Sequence, residues 1–421
     1  MRPQEAEQRL LSLELFGMRF GLDRMRRLMT ALGHPERQFK SIHVVGTNGK
    51  SSTTRMIAAI LVRHGYRVGT YLSPHLVSYN ERIRIDDVDV PPQRFADAIE
   101  RALHAAERVN RTEAEDDPVT QFELLTAAAY SELAAQQVDV AVIEAGLGGR
   151  YDATNVIPSS VQVLTGVGLE HTRWLGSTIA AIAREKLDVV QQGSTLVLGS
   201  GMHPDALMVA QEIATERNAT IVQAESNPHV EVGALGVFQR RNFAVARAAA
   251  QAFLGQLDED AVVQAAHDVR VPGRLQIAGE NPFTLLDGAH NPDGIAALAE
   301  SLPEIAQAHR KADGKLVAVV SILDDKDAAG MLATLAPLCD ALVLTASSNP
   351  RVLPPPTLQS LLKQTGVEVG AEIVPEPHAA LKRARELAGP GGVVVATGSI
   401  YLIAYLVSDP QPAAGRRVSM L

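Results

Sequence analysis

The chain has 421 residues, 46% of them hydrophobic and 21% charged, a globular balance long enough for two or three domains with a large core. A formal net charge of −9 leaves no basic excess for wrapping a nucleic-acid duplex, and no run of 18 apolar residues offers a membrane span. Cys339 is the single cysteine, which excludes an internal disulfide and a thiolate metal cluster, and the N-terminus MRPQEAEQRL lacks an apolar signal core; the expectation is a soluble cytoplasmic protein.

Short β-branched apolar runs alternate with helical ones. Strands are expected at 41–46 (SIHVVG), 138–146 (VDVAVIEAG), 161–168 (VQVLTGVG) and 194–200 (STLVLGS). Helices are expected at 51–65 and 121–137. In the first, Met56, Ile57, Ile60 and Leu61 share one face and Gly65 suits a C-terminal cap. A second alternating series contains 283–290 (FTLLDGAH), 315–322 (KLVAVVSI), 341–347 (ALVLTAS) and 393–399 (VVVATGS). The Gly- and Pro-rich stretch 271–282 separates the two series, giving domains at 1–275 and 283–421. Residues 112–118 and 350–356 read as loops, and no solenoid repeat is present. Buried apolar strands separated by helices imply parallel sheets covered on both faces. The predicted class is α/β, with two domains each built on a largely parallel sheet.

The first strand runs into GTNGKSS and then into a helix. That order aims backbone N–H groups and a helix N-terminus at a phosphate. Gly46 and Gly49 permit close backbone approach, Lys50 supplies a point charge, and Ser51 or Ser52 offers a hydroxyl to Mg²⁺. The Walker spacing would need glycine where Val44 stands, so the bland alternative is a tight turn with a solvated lysine. Glu144 ends an apolar strand, where open parallel sheets place their ligands, and such a carboxylate can hold Mg²⁺. Taken singly, His171, Lys186, Arg274, Asp287 and His290 are ambiguous. A lone histidine is more often structural and a lone lysine or arginine more often solvated, although DGAHNPDG is dense in polar turn formers.

Taken together, these segments resemble the dihydrofolate synthase/folylpolyglutamate synthase family of the Mur-ligase superfamily. The motifs follow in order over most of the chain: LFGMRFGLDRMRRLMTALGHP, IHVVGTNGKSS, YLSPHLVSYNERIRI, TQFELLTAAAY, AVIEAGLGGRYDATN, GLEHTRWLG, EKLDVV, QRRNFAVARAA, PGR, LLDGAHNP, DDKD and ATGSIYLI. The resemblance implies catalysis in a cleft between an ATPase domain and a Rossmann-like domain. It implies ATP contacts from Thr47, Asn48, Gly49 and Lys50 with Asn242, Arg274 and Asp287. It implies one Mg²⁺ at Ser73 and Glu144 and a second at His171. Lys186 matches the family's carbamylated lysine. A pterin pocket is implied at Gly17 to Phe20, at Thr120, Gln121, Phe122 and Glu123, and at Tyr151, Asp152 and Ala153. His290, Arg351 and Ser399 match positions on the glutamate and phosphate side. Three departures stand out: Ser51 where glycine usually follows the lysine, Glu170 where aspartate usually precedes the metal histidine, and Phe238 where histidine is frequent.

The implied activity is ATP-dependent addition of glutamate to dihydropteroate or a folate through an acyl phosphate, with small-molecule substrates, no nucleic-acid or membrane partner, and a monomeric chain. The competing readings are a Mur-type ligase with a non-folate acceptor, and an ATP-binding switch that forms no amide.

Overall fold

The computed structural model describes residues 1–13, 21–111 and 118–408. It divides into two compact units. Of the described residues, the first holds those up to Gly233 and Arg240–Val269, while the second holds Ala234–Gln239 and those from Arg270 to Ser408. The division thus falls at 269/270, just ahead of the Gly/Pro stretch, and the second unit also claims residues 234–239, which include the start of helix Val237–Leu254.

The first unit is built on a sheet of β1 (Lys40–Val45), β2 (Val68–Tyr71), β3 (Ile83–Ile85), β4 (Val88–Asp89), β5 (Val140–Glu144), β6 (Val161–Leu164), β7 (Thr195–Leu198) and β8 (Thr220–Gln223). The spatial order is β4-β3-β2-β5-β1-β6-β7-β8. Pairing is parallel from β2 to β8, and β3 and β4 form an antiparallel edge. β1, β5 and β6 are buried on both faces, which is why they read as continuous apolar runs rather than alternating ones. One face packs under Leu28, Met29, Tyr130 and Leu133 together with Ile143. Part of the other is covered by Leu187, Val190 and Val209 with Val45 and Leu164. Met56, Ile57, Ile60 and Leu61, the expected helix face, are fully buried, and Gly65 takes the left-handed backbone after helix Lys50–Arg63.

The second unit carries β9 (Gln276–Glu280), β10 (Phe283–Leu286), β11 (Leu316–Val320), β12 (Ala341–Leu344), β13 (Gly370–Ile373) and β14 (Val393–Thr397) in the order β13-β12-β11-β14-β10-β9. All pairs are parallel except β9 with β10. Leu285, Leu298, Leu302, Ala318, Leu332 and Leu358 lie in its core.

The structure trims two expectations. The strands expected to end at 146, 168 and 200 leave the ladder at Glu144, Leu164 and Leu198. Their glycine-bearing ends instead form the loops that build the site. The expected loop 350–356 also ends early. Pro355 and Pro356 open helix Pro355–Gln364, because proline is favourable in a first helical turn where its missing N–H has no acceptor. Most of the other expected loop, 112–118, lies outside the described residues.

Candidate active site

β1 lies between β5 and β6, and the chain crosses from one side of β1 to the other after β5. At such a reversal the loops beyond the carboxyl ends of the strands diverge and leave a crevice. Residues 46–49 leave β1 there, and Lys50 begins a 14-residue helix. Gly49 has φ 84°, and a Cβ on it would approach Asn242 Oδ1 to 2.6 Å. Gly46 has φ 154°, and a Cβ on it would collide with Thr165 Oγ1. Both glycines are therefore required by conformation and by close approach.

The segment after β6 holds the loop in shape. Thr47 N donates to Gly166 O at 2.9 Å, Gly168 N donates to Thr47 Oγ1 at 3.0 Å, and Thr165 Oγ1 donates to Asn48 O at 2.6 Å. Lys50 Nζ rests 3.4 Å from Thr47 O, folded over the loop it would serve. Thr165 was not among the residues expected at the site. Its only signal is position, directly after an apolar strand in TGVG.

Glu144 ends β5 and is 1% exposed. Its two carboxylate oxygens are bracketed: Ser51 Oγ donates to Oε1 at 2.8 Å and Ser73 N donates to Oε2 at 3.1 Å. Ser73 precedes a cis peptide bond to Pro74. Ser52 is buried, so Ser51, the residue in the usual glycine position, is the hydroxyl that faces the acid. The groups here that could ligate a metal are hard oxygens, the Glu144 carboxylate and the serine hydroxyls, with one negative charge among them. They fit Mg²⁺ or Mn²⁺, which keep several waters and take the rest of their ligands from phosphate. Among the described residues no group of three His, Cys, Asp or Glu side chains converges as an all-protein cage.

Lys186 lies on helix Ile179–Leu187. It is buried, and its Nζ donates to Gly46 O at 2.9 Å. Burial, reinforced by the charge of Lys50, pulls its amine down to about 7, against the opposing pull of Glu170, Asp152 and Glu185. The loop after β5 packs directly on this helix. Arg150 N donates to Glu185 O at 2.9 Å, and a Cβ on Gly149 would strike the Lys186 carbonyl. The GLGG run thus brings the end of β5 and the Lys186 helix together. His171 has a left-handed backbone, is exposed, and lies 4.0 Å from Glu170. The structure therefore gathers Lys50, Ser51, Ser73, Glu144 and Lys186 around one loop and pairs His171 loosely with Glu170.

Of the expected pterin-side residues, Gly17 to Phe20 lie outside the described residues. Thr120 and Glu123 form a reciprocal cap on helix Gln121–Ala135, and Arg24 Nε pairs with Glu123 at 3.2 Å with both side chains buried. Gln121 Nε2 donates to Leu10 O at 2.6 Å. Phe122 lies against Gly146, where a Cβ would approach the ring to 2.5 Å. Tyr151 is exposed, while Asp152 and Ala153 are buried. Asp152 accepts from Leu147 N at 2.7 Å and Thr154 N at 3.0 Å. Burial raises its carboxyl against those bonds and the charge of Lys50. Most of these side chains thus already serve the framework, and Tyr151 is the one presented to solvent.

In the second unit Asp287 directly follows β10 and opens the loop after it. It accepts from Leu275 N and Ala289 N, both at 2.9 Å, and burial raises its carboxyl while Arg274 opposes the rise. His290 Nδ1 contacts Gly288 O at 2.8 Å. Arg351 lies 3.7 Å from Asp325, and Ser399 caps helix Ile400–Val407.

A phosphate loop facing a strand-end acid, with a depressed lysine beneath it, defines a nucleotide-dependent phosphoryl-transfer enzyme of the α/β class. Residues 273–400 match the family model for the Mur ligase glutamate ligase domain. The chain is 31% identical to a dihydrofolate synthase/folylpolyglutamate synthase of Bacillus subtilis, covering 92% of this chain and 94% of that protein. Among solved structures it resembles a Mycobacterium tuberculosis folylpolyglutamate synthase complexed with ADP, at TM-score 0.88 and 30% identity, covering 97% of this chain and 99% of the other. It also resembles the bifunctional folylpolyglutamate synthase/dihydrofolate synthase of Yersinia pestis complexed with AMPPNP and a manganese ion, at TM-score 0.84 and 29% identity, covering 96% and 97%. The chain belongs to the dihydrofolate synthase/folylpolyglutamate synthase family.

Proposed function

We propose that this chain is an ATP-dependent ligase that joins L-glutamate to the carboxyl group of dihydropteroate or of a folate. The observation that carries the reading is the bracketed carboxylate of Glu144, with Ser51 and Ser73 on its two oxygens and the Lys50 loop beside it. An amide does not form from a carboxylate and an amine in water without activation. In the proposed reaction the substrate carboxylate attacks the γ-phosphorus of ATP, releasing ADP and leaving an acyl phosphate. The neutral amine of glutamate then attacks the acyl carbon, and phosphate departs.

The first step brings two anions together, so the charges already in place decide the barrier. The N–H groups of 47–50 and the helix N-terminus would hold the phosphates, with Lys50 on the transferring group. Ser51, Ser73 and Glu144 would hold a divalent cation, which supplies neutralisation of the phosphate oxygens. Lys186, kept short of full protonation by its burial, is suited to carbamylation, which needs a neutral amine and would turn a cation into an anion. His171 with Glu170 would serve a second ion. Asn242, Arg274 and Asp287 are proposed as ATP contacts. Tyr151 and its neighbours are proposed on the pterin side, and His290, Arg351 and Ser399 on the glutamate and phosphate side. The test is ADP release with ATP, Mg²⁺ and glutamate, run in parallel with dihydropteroate and tetrahydrofolate. Pterin-independent ADP release, or no coupled product with either acid, would sink the reading.

A further inference from the structure

His43 lies in the middle of β1, with no exposed surface, under the loop it leads into. Its Nε2 is 2.8 Å from Thr154 Oγ1. Its Nδ1 is buried and has no partner. The Thr154 hydroxyl in turn donates to Asp152 Oδ1. Asp152 already receives Leu147 N on its other oxygen and Thr154 N on the same one. A carboxylate taking N–H donors on both oxygens is an acceptor, so the single hydroxyl proton of Thr154 goes to it. The Thr154 oxygen must then accept from His43. That fixes His43 as the neutral tautomer with its proton on Nε2, because a proton on Nδ1 would be buried without an acceptor.

The chain of bonds ends in the tight turn that carries Tyr151. Asp152 N donates to Gly149 O at 3.2 Å, Asn155 N donates to Asp152 O at 2.8 Å, and Tyr130 Oη donates to Thr154 O at 2.9 Å. Every polar group of Asp152 and Thr154 in this set has a partner, and the Thr154 hydroxyl is held between two side chains, Asp152 as its acceptor and His43 as the donor to its oxygen. We propose that His43 is a positioning residue for the acid substrate: as the Nε2–H tautomer it orients Thr154 onto Asp152 and so holds the turn that presents Tyr151. This rests on the reading above that residues 151–153 lie on the pterin side. The phosphate loop is held from β1 by a different route, through Gly46 and Thr165, so the larger effect of His43 falls on the acid substrate.

The test uses the full chain with four variants: His43→Leu, His43→Gln, Thr154→Val and the His43→Leu/Thr154→Val double. Loss of one buried donor is expected to raise KM for the pteroate or folate acid about tenfold in His43→Leu, with KM for ATP within about twofold. His43→Gln, whose amide nitrogen can take the place of Nε2, should restore the acid KM to within about threefold of the parent. Since the effect passes through Thr154, the double variant should be no worse than the worse single one. Multiplying effects, equal losses with Leu and Gln, or a parallel rise in KM for ATP would overturn the proposal. An independent arm is ¹⁵N-histidine NMR of the parent, with the His43 signal assigned by its loss in His43→Gln. It should report a proton on Nε2 and none on Nδ1, unchanged from pH 6 to 9, because burial disfavours the charged ring. The opposite tautomer refutes the inference even if His43→Leu does not fold. A parent that ligates no glutamate refutes the functional reading instead, whereas an active parent with an unmoved acid KM in His43→Leu refutes only this one.

Discussion

Replacing Glu144 by glutamine removes a charge with almost no change of shape. In the parent both carboxylate oxygens accept, from Ser51 Oγ and Ser73 N. Glutamine can keep its oxygen on Ser73 N and turn its amide toward Ser51, whose hydroxyl rotates to accept. Two charge-assisted bonds become neutral ones, a loss of about 1–3 kcal/mol in the folded state. Against this, a carboxylate that is 1% exposed no longer has to be desolvated, which returns up to several kcal/mol. The net effect on stability is close to zero or favourable, so the variant should melt within a few degrees of the parent. Catalysis should respond differently. In the proposed reaction the lost charge would balance a divalent cation and the developing charge on the γ-phosphoryl group, and losing such a group costs roughly 3–4 kcal/mol, or about 10²- to 10³-fold in kcat. The assay is coupled ADP release at saturating ATP, acid and glutamate over a Mg²⁺ titration. The expected curve is lower and shifted to higher Mg²⁺. Turnover within threefold of the parent at every Mg²⁺ concentration would refute the assignment of Glu144 to the metal and phosphate machinery.

Lys50→Ala should reduce glutamate incorporation at least about 100-fold with an unchanged melting temperature, read in the same assay. Gly149→Ala places a methyl group against the Lys186 carbonyl and 2.9 Å from Glu185 O; calorimetry should show Tm lowered by about 2–8 °C, with activity falling because the Lys186 helix is displaced. Because burial lowers the Lys186 amine from 10.5 to about 7, the unfolded chain binds more protons than the folded one between those pH values. Lys186 therefore makes unfolding free energy rise with pH there, by up to about 1.4 kcal/mol per pH unit. Urea midpoints in carbon-dioxide-free buffer at pH 7 and 9 should rise less in Lys186→Met than in the parent. If Lys186 is carbamylated, ¹³C-bicarbonate should yield a carbonyl resonance that strengthens as pH rises through about 7 and is absent from Lys186→Arg.

Much of this architecture is written locally. β1, β5, β6 and β7 are visible as apolar runs because each is buried on both faces, and helix Lys50–Arg63 announces itself by its apolar face and by Gly65. β3, β4 and β8 carry no such signal. They are short and lie at or near a sheet edge, and apart from Ile83 their side chains are partly or fully exposed, so no periodicity distinguishes them from a loop. Pro355 and Pro356 illustrate a local ambiguity, since the same residues that mark a loop also open a helix.

The chemical identity of the site was local too: a phosphate loop after a strand, an acid at a strand end, and motifs in a recognisable order. Their meaning was not. Whether Ser51 or Ser52 faces Glu144 depends on the rotation of one helical residue against a strand 93 positions away. Lys186 is an ordinary lysine by composition, and only the packing of Gly149 and the reach to Gly46 O make it a buried amine that titrates near neutrality. Thr165 and His43 gain their roles in the same way, through hydrogen bonds to partners more than a hundred residues off. Sequence pattern determines which segments become strands, helices and anion loops, because those choices depend on neighbours within a few residues. Protonation, hydroxyl direction and the close approach of two backbones depend on burial and long-range contact, so only the folded chain decides them.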